Sequence, residues 1–400
     1  MDTRAFPDFA GRTILQVIPD LAAGGAERTV IEIAEALSAA NARALVVSRG
    51  GRLEPALATA GGQLVKMNVA TKNPIGMRGN ATRLTALIRT RHVDLIHARS
   101  RAPAWSSFWA ARRTGIPYVT TYHGAYSASA IPKRYYNSVM ARGDRVIANS
   151  NWIADHVRSD HGVPDDRLVT IARGVDTAQF DPAGVSDDTI AAQRAVWGLS
   201  PDDNRRVVLL PARLTPWKGQ AAAIEAFSRL DDPVRRSALL VLMGDAQGRD
   251  GYVDDLRAAV DAGRLGGDVV FAEHSTDMPP AYAAADIVLT PSVRPEAFGR
   301  TAAEASAMAK PVIAFAHGGA LETIVDGVTG RLVPFEPFEI RRKDPHEGLA
   351  SALAELLLAP ADRLSALGAA GRAHIVGQFT KRGLQTATLR VYADLLKIGH

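Results

Sequence analysis

Ala285-Asp286-Ile287-Val288-Leu289-Thr290-Pro291-Ser292 and, two residues on, Pro295-Glu296-Ala297-Phe298-Gly299-Arg300-Thr301-Ala302-Ala303-Glu304-Ala305 carry the fold in miniature. The first stretch is a short β-branched apolar run closed by proline, which reads as a buried strand and a turn. The second reads as a loop feeding a helix, with Glu296 in the loop and Glu304 on the helix's second turn. Gly299 opens that helix. Lacking a Cβ, it lets a second molecule approach the backbone, where the unpaired amides of a helix start favour an anion such as phosphate. Taken alone, the same letters also fit a glutamate-capped helix start with Glu304 on a solvated face, so the rest of the chain must decide.

Outward from this unit the pattern repeats. Apolar strand candidates lie at Thr13 to Ile18, Ala44 to Ser48, Leu64 to Met67, Leu95 to His97, Tyr118 to Thr121, Arg145 to Ala148 and Leu168 to Ile171. Helical patterns such as Glu27 to Ala39 and Thr82 to Arg91 separate them. Further strands are expected at Val207 to Leu210, Ala238 to Met243, Val269 to Phe271, Ile287 to Leu289 and Val312 to Phe315. Such alternation predicts α/β architecture with parallel sheets covered on both faces, that is, doubly wound Rossmann-like domains. Four hundred residues suit two of them. We expect a first domain over 1–178, a linker over 179–204 where Asp, Pro and Gly gather, a second domain over 205–380, and a C-terminal helix, 381–400, crossing back to the first. Open α/β sheets bind ligands beyond the carboxyl ends of their strands, so the site is expected in a cleft between the domains.

The strand ends carry the candidate chemistry. Gly24 and Gly25 open a helix after the first strand, in neither a G-x-G-x-x-G nor a Walker A pattern, so neither a nicotinamide cofactor nor ATP is signalled. The pair brings backbone amides close to a phosphate or sugar, and a plain tight turn explains it as well. Arg213 and Lys218 bracket the turn after the first strand of the second half. A lysine at a helix start opposes the macrodipole unless an anion shares the place, and the two cations would clamp a diphosphate. His123, in Thr120-Thr121-Tyr122-His123-Gly124, follows an apolar strand and is expected to face the cleft. His317-Gly318-Gly319 offers a second glycine-rich turn, and Arg173-Gly174-Val175-Asp176 reads as a cleft edge.

Composition narrows the class. With no cysteine, disulfides, thiolate metal sites and cysteine nucleophiles are excluded, which fits a reducing compartment, and we expect the cytoplasm. Met1 to Phe9 lacks signal-peptide character, and no apolar run approaches the about 20 residues that span a bilayer. There is no D-x-D and no His/Asp/Glu cluster at metal spacing, so no metal is expected. The net charge of +5 is unevenly placed: residues 1–200 hold 24 Lys/Arg against 17 Asp/Glu, and from Ala60 to Arg145 there are 14 basic residues with only Asp94 and Asp144 as acids. Zinc-finger spacing, RNP-type aromatics and long basic helices are lacking, so nucleic acid is not the expected partner. An anionic bilayer surface or phosphorylated lipid is.

Together, Arg213-(x4)-Lys218-Gly219, Glu296-(x7)-Glu304, the Gly24-Gly25 loop and Arg173-Gly174-Val175-Asp176 resemble, in order and over nearly the whole chain, the retaining glycosyltransferases of family GT4 with the GT-B two-domain fold. The resemblance implies that Glu296, Ala297, Phe298 and Gly299 line the donor sugar and Glu304 binds the ribose hydroxyls. By the same resemblance Arg213 and Lys218 would neutralise the diphosphate, and the Gly24-Gly25 loop would close over it. The resemblance also implies that His123 lies near the transferred sugar, with Glu296 acting there as nucleophile or as electrostatic stabiliser. Lys310, where many relatives have glycine, is a departure. The segment from His97-Ala98-Arg99-Ser100-Arg101 to Tyr135-Tyr136-Asn137-Ser138-Val139-Met140 is similar to alphaproteobacterial lipopolysaccharide-core mannosyltransferases. That implies GDP-mannose as co-substrate and an anionic glycolipid acceptor met by Arg99, Arg101, Lys133, Arg134 and Arg173, with the enzyme peripheral at the inner face of the cytoplasmic membrane. A UDP-sugar-dependent transferase, a nucleotide-sugar 2-epimerase of the same fold and a non-catalytic nucleotide-sugar sensor are the alternatives.

Overall fold

The computed structural model describes residues 6–22, 24–126, 130–335 and 345–398. Met1 to Ala5, Ala23 beside the glycine pair, and the last two residues of the expected 381–400 helix lie outside them. The chain forms two units, Met1–Gly174 with Lys381–His400, and Val175–Thr380.

The first unit is built on β1 (Thr13–Val17), β2 (Arg43–Ser48), β3 (Gln63–Lys66), β4 (Leu95–Ala98), β5 (Tyr118–Tyr122), β6 (Arg145–Ala148) and β7 (Leu168–Thr170). They pair in parallel in the order β3-β2-β1-β4-β5-β6-β7. The second is built on β8 (Arg206–Pro211), β9 (Ala238–Met243), β10 (Val269–Ala272), β11 (Ile287–Thr290), β12 (Val312–Phe315) and β13 (Gly330–Val333), parallel in the order β10-β9-β8-β11-β12-β13. Both sheets are the doubly wound arrangement read from the sequence. The central strands are near-continuous apolar runs because helices cover both faces: all six residues of β9 are buried, whereas the edge strand β3 has exposed ends.

In each sheet the order reverses once, between β1 and β4 in the first unit and between β8 and β11 in the second. There the crossovers leave in opposite directions, and the loops at the carboxyl ends diverge to open a crevice. The Gly24-Gly25 and Arg99 segments follow β1 and β4; the Arg213–Lys218 and Ser292–Glu296 segments follow β8 and β11.

Three expectations differ from what is observed. β13 was not expected: it is short, holds Gly330 and Arg331, and is an edge strand buried only at its two ends. Residues 179–204, expected as a linker, cluster with the second unit. There the helix Asp187–Val196 is tied down by Arg194, whose guanidinium donates to the carbonyls of Ala284 and Arg205. The helix expected from Lys218 starts later. A single 3₁₀ turn, Pro216–Lys218, is followed by left-handed Gly219 and then by the helix Gln220–Ser228.

Candidate functional site

The second unit's crevice is set by close backbone packing. Gly219 has φ +81°, and a Cβ there would lie 1.8 Å from the Pro291 carbonyl oxygen, so the loop after β8 rests directly on the end of β11. Val293 N–H donates to the Trp217 carbonyl at 2.9 Å and pins the same contact. Lys218 Nζ therefore reaches Glu296 Oε1 at 2.7 Å, 4.4 Å from the Trp217 ring centroid. The anion that the Lys218 position calls for is, in this structure, the Glu296 carboxylate.

Glu296 is held ionised. Burial pushes its carboxyl up, but the Lys218 charge and hydrogen bond, the Ser292 hydroxyl donating to Oε1 at 2.5 Å, and His317 outweigh it and leave the pKa below the usual carboxylate value. His317 itself is kept toward neutral chiefly by burial. Both bonds to Glu296 use Oε1. Oε2 has no hydrogen bond among the described residues, and Glu296 lines a pocket with Thr290, Ser292, Gly299, Thr301, Phe315 and His317 among others. Arg213 is exposed and its side chain makes no hydrogen bond or ion pair with the described residues, while its carbonyl accepts from Gln220. The second-unit residues expected together are thus in different states: Lys218 and Glu296 engaged, Arg213 free to meet a ligand.

The 295–299 loop is shaped by the glycine-rich turn beside it. A Cβ at Gly318 (φ +58°) would lie 2.4 Å from the Glu296 carbonyl oxygen, one at Gly319 would lie 2.4 Å from Phe298 backbone atoms, and Gly319 N–H donates to Glu296 O at 2.8 Å. Gly299 (φ +79°) then starts the helix Arg300–Ala307 without a side-chain cap. Phe298, expected at the donor, is instead 1% exposed and packs edge-on against Phe379 at 5.6 Å. Its ring holds the loop in the core, and only its backbone remains for a ligand. Glu304 is not on a solvated face: it is 8% exposed, takes Arg300 Nε at 3.0 Å and accepts from the Tyr282 hydroxyl at 3.2 Å, each oxygen keeping a further lone pair. Tyr282 and Arg300 were not picked out from the sequence; arginine four residues before a glutamate on one helix was the available signal.

In the first unit, Gly25 opens the helix Gly25–Ala39, and a Cβ there would lie 2.3 Å from Arg173 Nη1. Arg173 Nη2 in turn stands 3.0 Å from His123 Nδ1. The glycine pair, Arg173 and His123 are therefore brought together. Arg99, expected to meet the acceptor, is not available to it. It is 2% exposed, gives Nε and Nη2 to Gln16 Oε1 at 3.0 and 2.6 Å, and lies against Tyr392. It follows β4 at the sheet's switch point, and its side chain turns into the unit toward Gln16 of β1 and Tyr392. Arg101 is partly engaged, donating to Asn137 at 2.9 Å with its guanidinium 4.0 Å from the Tyr126 ring centroid. Lys133 and Arg134 are exposed on the helix Ile131–Ser138. Among the described residues no group of three or more His, Asp or Glu side chains is placed to hold a metal ion.

The family described as Glycosyltransferase Family 4 matches residues 23–179, and that described as Glycosyl transferases group 1 matches residues 193–367. A D-inositol 3-phosphate glycosyltransferase of Xylanimonas cellulosilytica is 30% identical over 76% of this chain and 72% of its own. Among solved structures, a glycosyltransferase from Rickettsia africae is 32% identical with a TM-score of 0.87, covering 97% of this chain and 99% of that one. HepE of Anabaena, in complex with UDP-glucose, is 25% identical with a TM-score of 0.80, covering 96% and 99%.

Proposed function

The chain belongs to glycosyltransferase family 4, with the GT-B fold, and from that premise we propose that it is a retaining, metal-independent hexosyltransferase moving a sugar from a nucleoside diphosphate onto an anionic glycolipid. The Lys218–Glu296 pair beside the open Arg213 carries the reading. Cleaving the bond from sugar to diphosphate builds negative charge on the departing β-phosphate, and cations already fixed in place stabilise what grows in the transition state. Arg213 and Lys218 take that charge in place of a metal ion. Glu296, anionic and with no hydrogen bond to Oε2 among the described residues, faces the sugar as it gains oxocarbenium character, while the acceptor hydroxyl attacks from the face of departure. Glu304 accepts the ribose hydroxyls on lone pairs that Arg300 and Tyr282 leave over.

For the finer assignment, GDP-mannose is the proposed donor and a lipopolysaccharide inner-core glycolipid the proposed acceptor, on sequence resemblance. A UDP-hexose is the second reading, favoured by the UDP-glucose named for HepE, and the name of the Xylanimonas relative favours a different phosphorylated acceptor. Membrane contact at the inner face would run through the helix Ile131–Ser138, where Ile131 and Tyr135 are 82% and 62% exposed beside Lys133 and Arg134. Each such cation near an anionic surface contributes about 1 kcal/mol. No described helix is long and apolar enough to cross a membrane.

The test is a donor screen with product mass spectrometry, in EDTA, using GDP-mannose, UDP-glucose and UDP-N-acetylglucosamine with and without a Kdo-bearing lipid A precursor. Lipid-dependent transfer of one hexose from GDP-mannose, with the anomeric configuration retained, is expected. Transfer from a UDP-sugar alone would replace the donor assignment, conversion of a nucleotide sugar without acceptor would make the protein an epimerase, and loss of activity in EDTA would end the metal-independent reading.

A further inference from the structure

Arg173 and His123 form a contact whose chemistry allows one arrangement of protons. A guanidinium has donors and no acceptor. At 3.0 Å from Nη2, the Nδ1 atom of His123 must therefore present its lone pair, and the imidazole proton must reside on Nε2. Two further observations agree. Gly25 leaves the space that the Arg173 guanidinium fills, since a Cβ there would overlap Nη1. His123 Nε2 is buried and has no hydrogen-bond partner among the described residues, so a donor is held ready with nothing yet to donate to.

We propose that Arg173 is a positioning residue that fixes His123 as a neutral imidazole with its proton on Nε2, making the histidine a hydrogen-bond donor to a substrate oxygen rather than a base. This deepens the transferase reading and rests on it for the word substrate. It also moves Arg173 from direct acceptor contact to a role exercised through His123. The surroundings oppose a second proton on the ring. Arg173 and, from the segment after β4, Arg99 are the cations facing it; His97 on β4 is itself neutral; Tyr126 lies on the same loop; and the helix at Gly25 carries Glu27 in its first turn, with Glu32 and Glu35 further along. Burial foremost, then those two arginines, hold His123 well below the usual histidine pKa.

The first arm of the test is nitrogen-15 NMR of the histidine-labelled full chain without substrate, the His123 signals being those absent from His123→Asn. The Nε2–H tautomer is expected, persisting well below pH 6.5. Arg173→Gln, which keeps a donor toward Nδ1, should preserve that tautomer, and Arg173→Ala should give mixed tautomers and a ring that protonates at higher pH. The second arm is the pH profile of kcat/KM. In Arg173→Ala the acid limb should move up, each pH unit of displacement costing about tenfold at a fixed pH below it, while Arg173→Lys should recover part of the shift. A wild-type Nδ1–H tautomer, or an unchanged His123 titration in a folded Arg173→Ala protein, overturns the proposal. If no donor is turned over, the transferase reading fails while the NMR arm still decides this one.

Discussion

Arg213 and Lys218 share one loop but stand in opposite energetic positions. Lys218 is spent on Glu296, both side chains mostly buried, and Arg213 reaches into solvent with no described partner. Arg213→Ala should therefore leave stability within about 0.5 kcal/mol, as surface substitutions do, and still lower kcat by about 10²–10³ if its role is to meet charge in the transition state. Thermal unfolding read beside steady-state kinetics checks both halves; a raised KM with kcat intact would mean that Arg213 only binds the donor. Lys218→Ala differs because it strands a buried carboxylate, a loss of about 3–5 kcal/mol by analogy with other broken buried pairs. The sign of its pH effect follows. Lys218 now pulls the Glu296 pKa down against burial. Without Lys218, burial is left less opposed and the pKa rises, so the contribution of ionised Glu296 is lost at higher pH on acidification. The acid limb of kcat should move up in Lys218→Ala; an unmoved limb would show that Glu296 ionisation does not limit the reaction. Glu296 and Lys218 could be picked out from the sequence because each lies in a loop that follows an apolar strand, although the helix start that singled out Lys218 lies two residues later. Tyr392 was not, since its partners His97 and Arg99 lie almost 300 residues away.

At the scale of elements, the central parallel strands were readable because burial on both faces leaves unbroken apolar runs, as in β9. β13 escaped for the converse reason, its middle residues being only half-buried. The start of the helix after β8 was misjudged by two residues because Gly219 looks like an ordinary helical letter until its φ of +81° and its contact with Pro291 are seen. That contact makes Gly219→Ala a test of the crevice itself. The left-handed conformation costs a residue with a Cβ about 1–2 kcal/mol, and a carbonyl oxygen 1.8 Å from the added carbon forces β8 and β11 loops apart. Gly11, also left-handed at φ +75° but with nothing within 4 Å of a Cβ, is the control. Gly219→Ala should destabilise by clearly more than Gly11→Ala in urea unfolding and should depress donor binding; equal losses would mean that backbone strain alone, and not the packing of the two loops, matters at Gly219.

On the scale of the whole chain, the first unit is assembled from both ends of the sequence. Leu384, Leu389, Val391 and Tyr392 of the helix Lys381–Leu396 join a core with Val30, Ile33 and Leu37. The Tyr392 hydroxyl lies 2.6 Å from His97 Nδ1, while Thr121 Oγ1 lies 2.7 Å from Nε2. His97 is held neutral, mainly by burial and then by Arg99, as is His123. A histidine whose folded pKa is depressed binds a proton more readily when unfolded, so the stability it contributes is present above the ordinary value of 6.5 and is lost as the pH falls below it. Acidification from pH 7 to 5 should therefore weaken the first unit. Tyr392→Phe leaves His97 and Arg99 short of a buried partner and should cost about 1–3 kcal/mol. Ending the chain at Thr380 removes the apolar contacts as well and should cost more. Hydrogen exchange measures this strand by strand: β1 and β4 should lose protection in the order wild type, Tyr392→Phe, truncated chain, whereas β8 and β9, whose core draws on no residue beyond Thr380, should keep theirs. Retained protection of β1 in the truncated chain would show that the C-terminal helix decorates the first unit without completing its core.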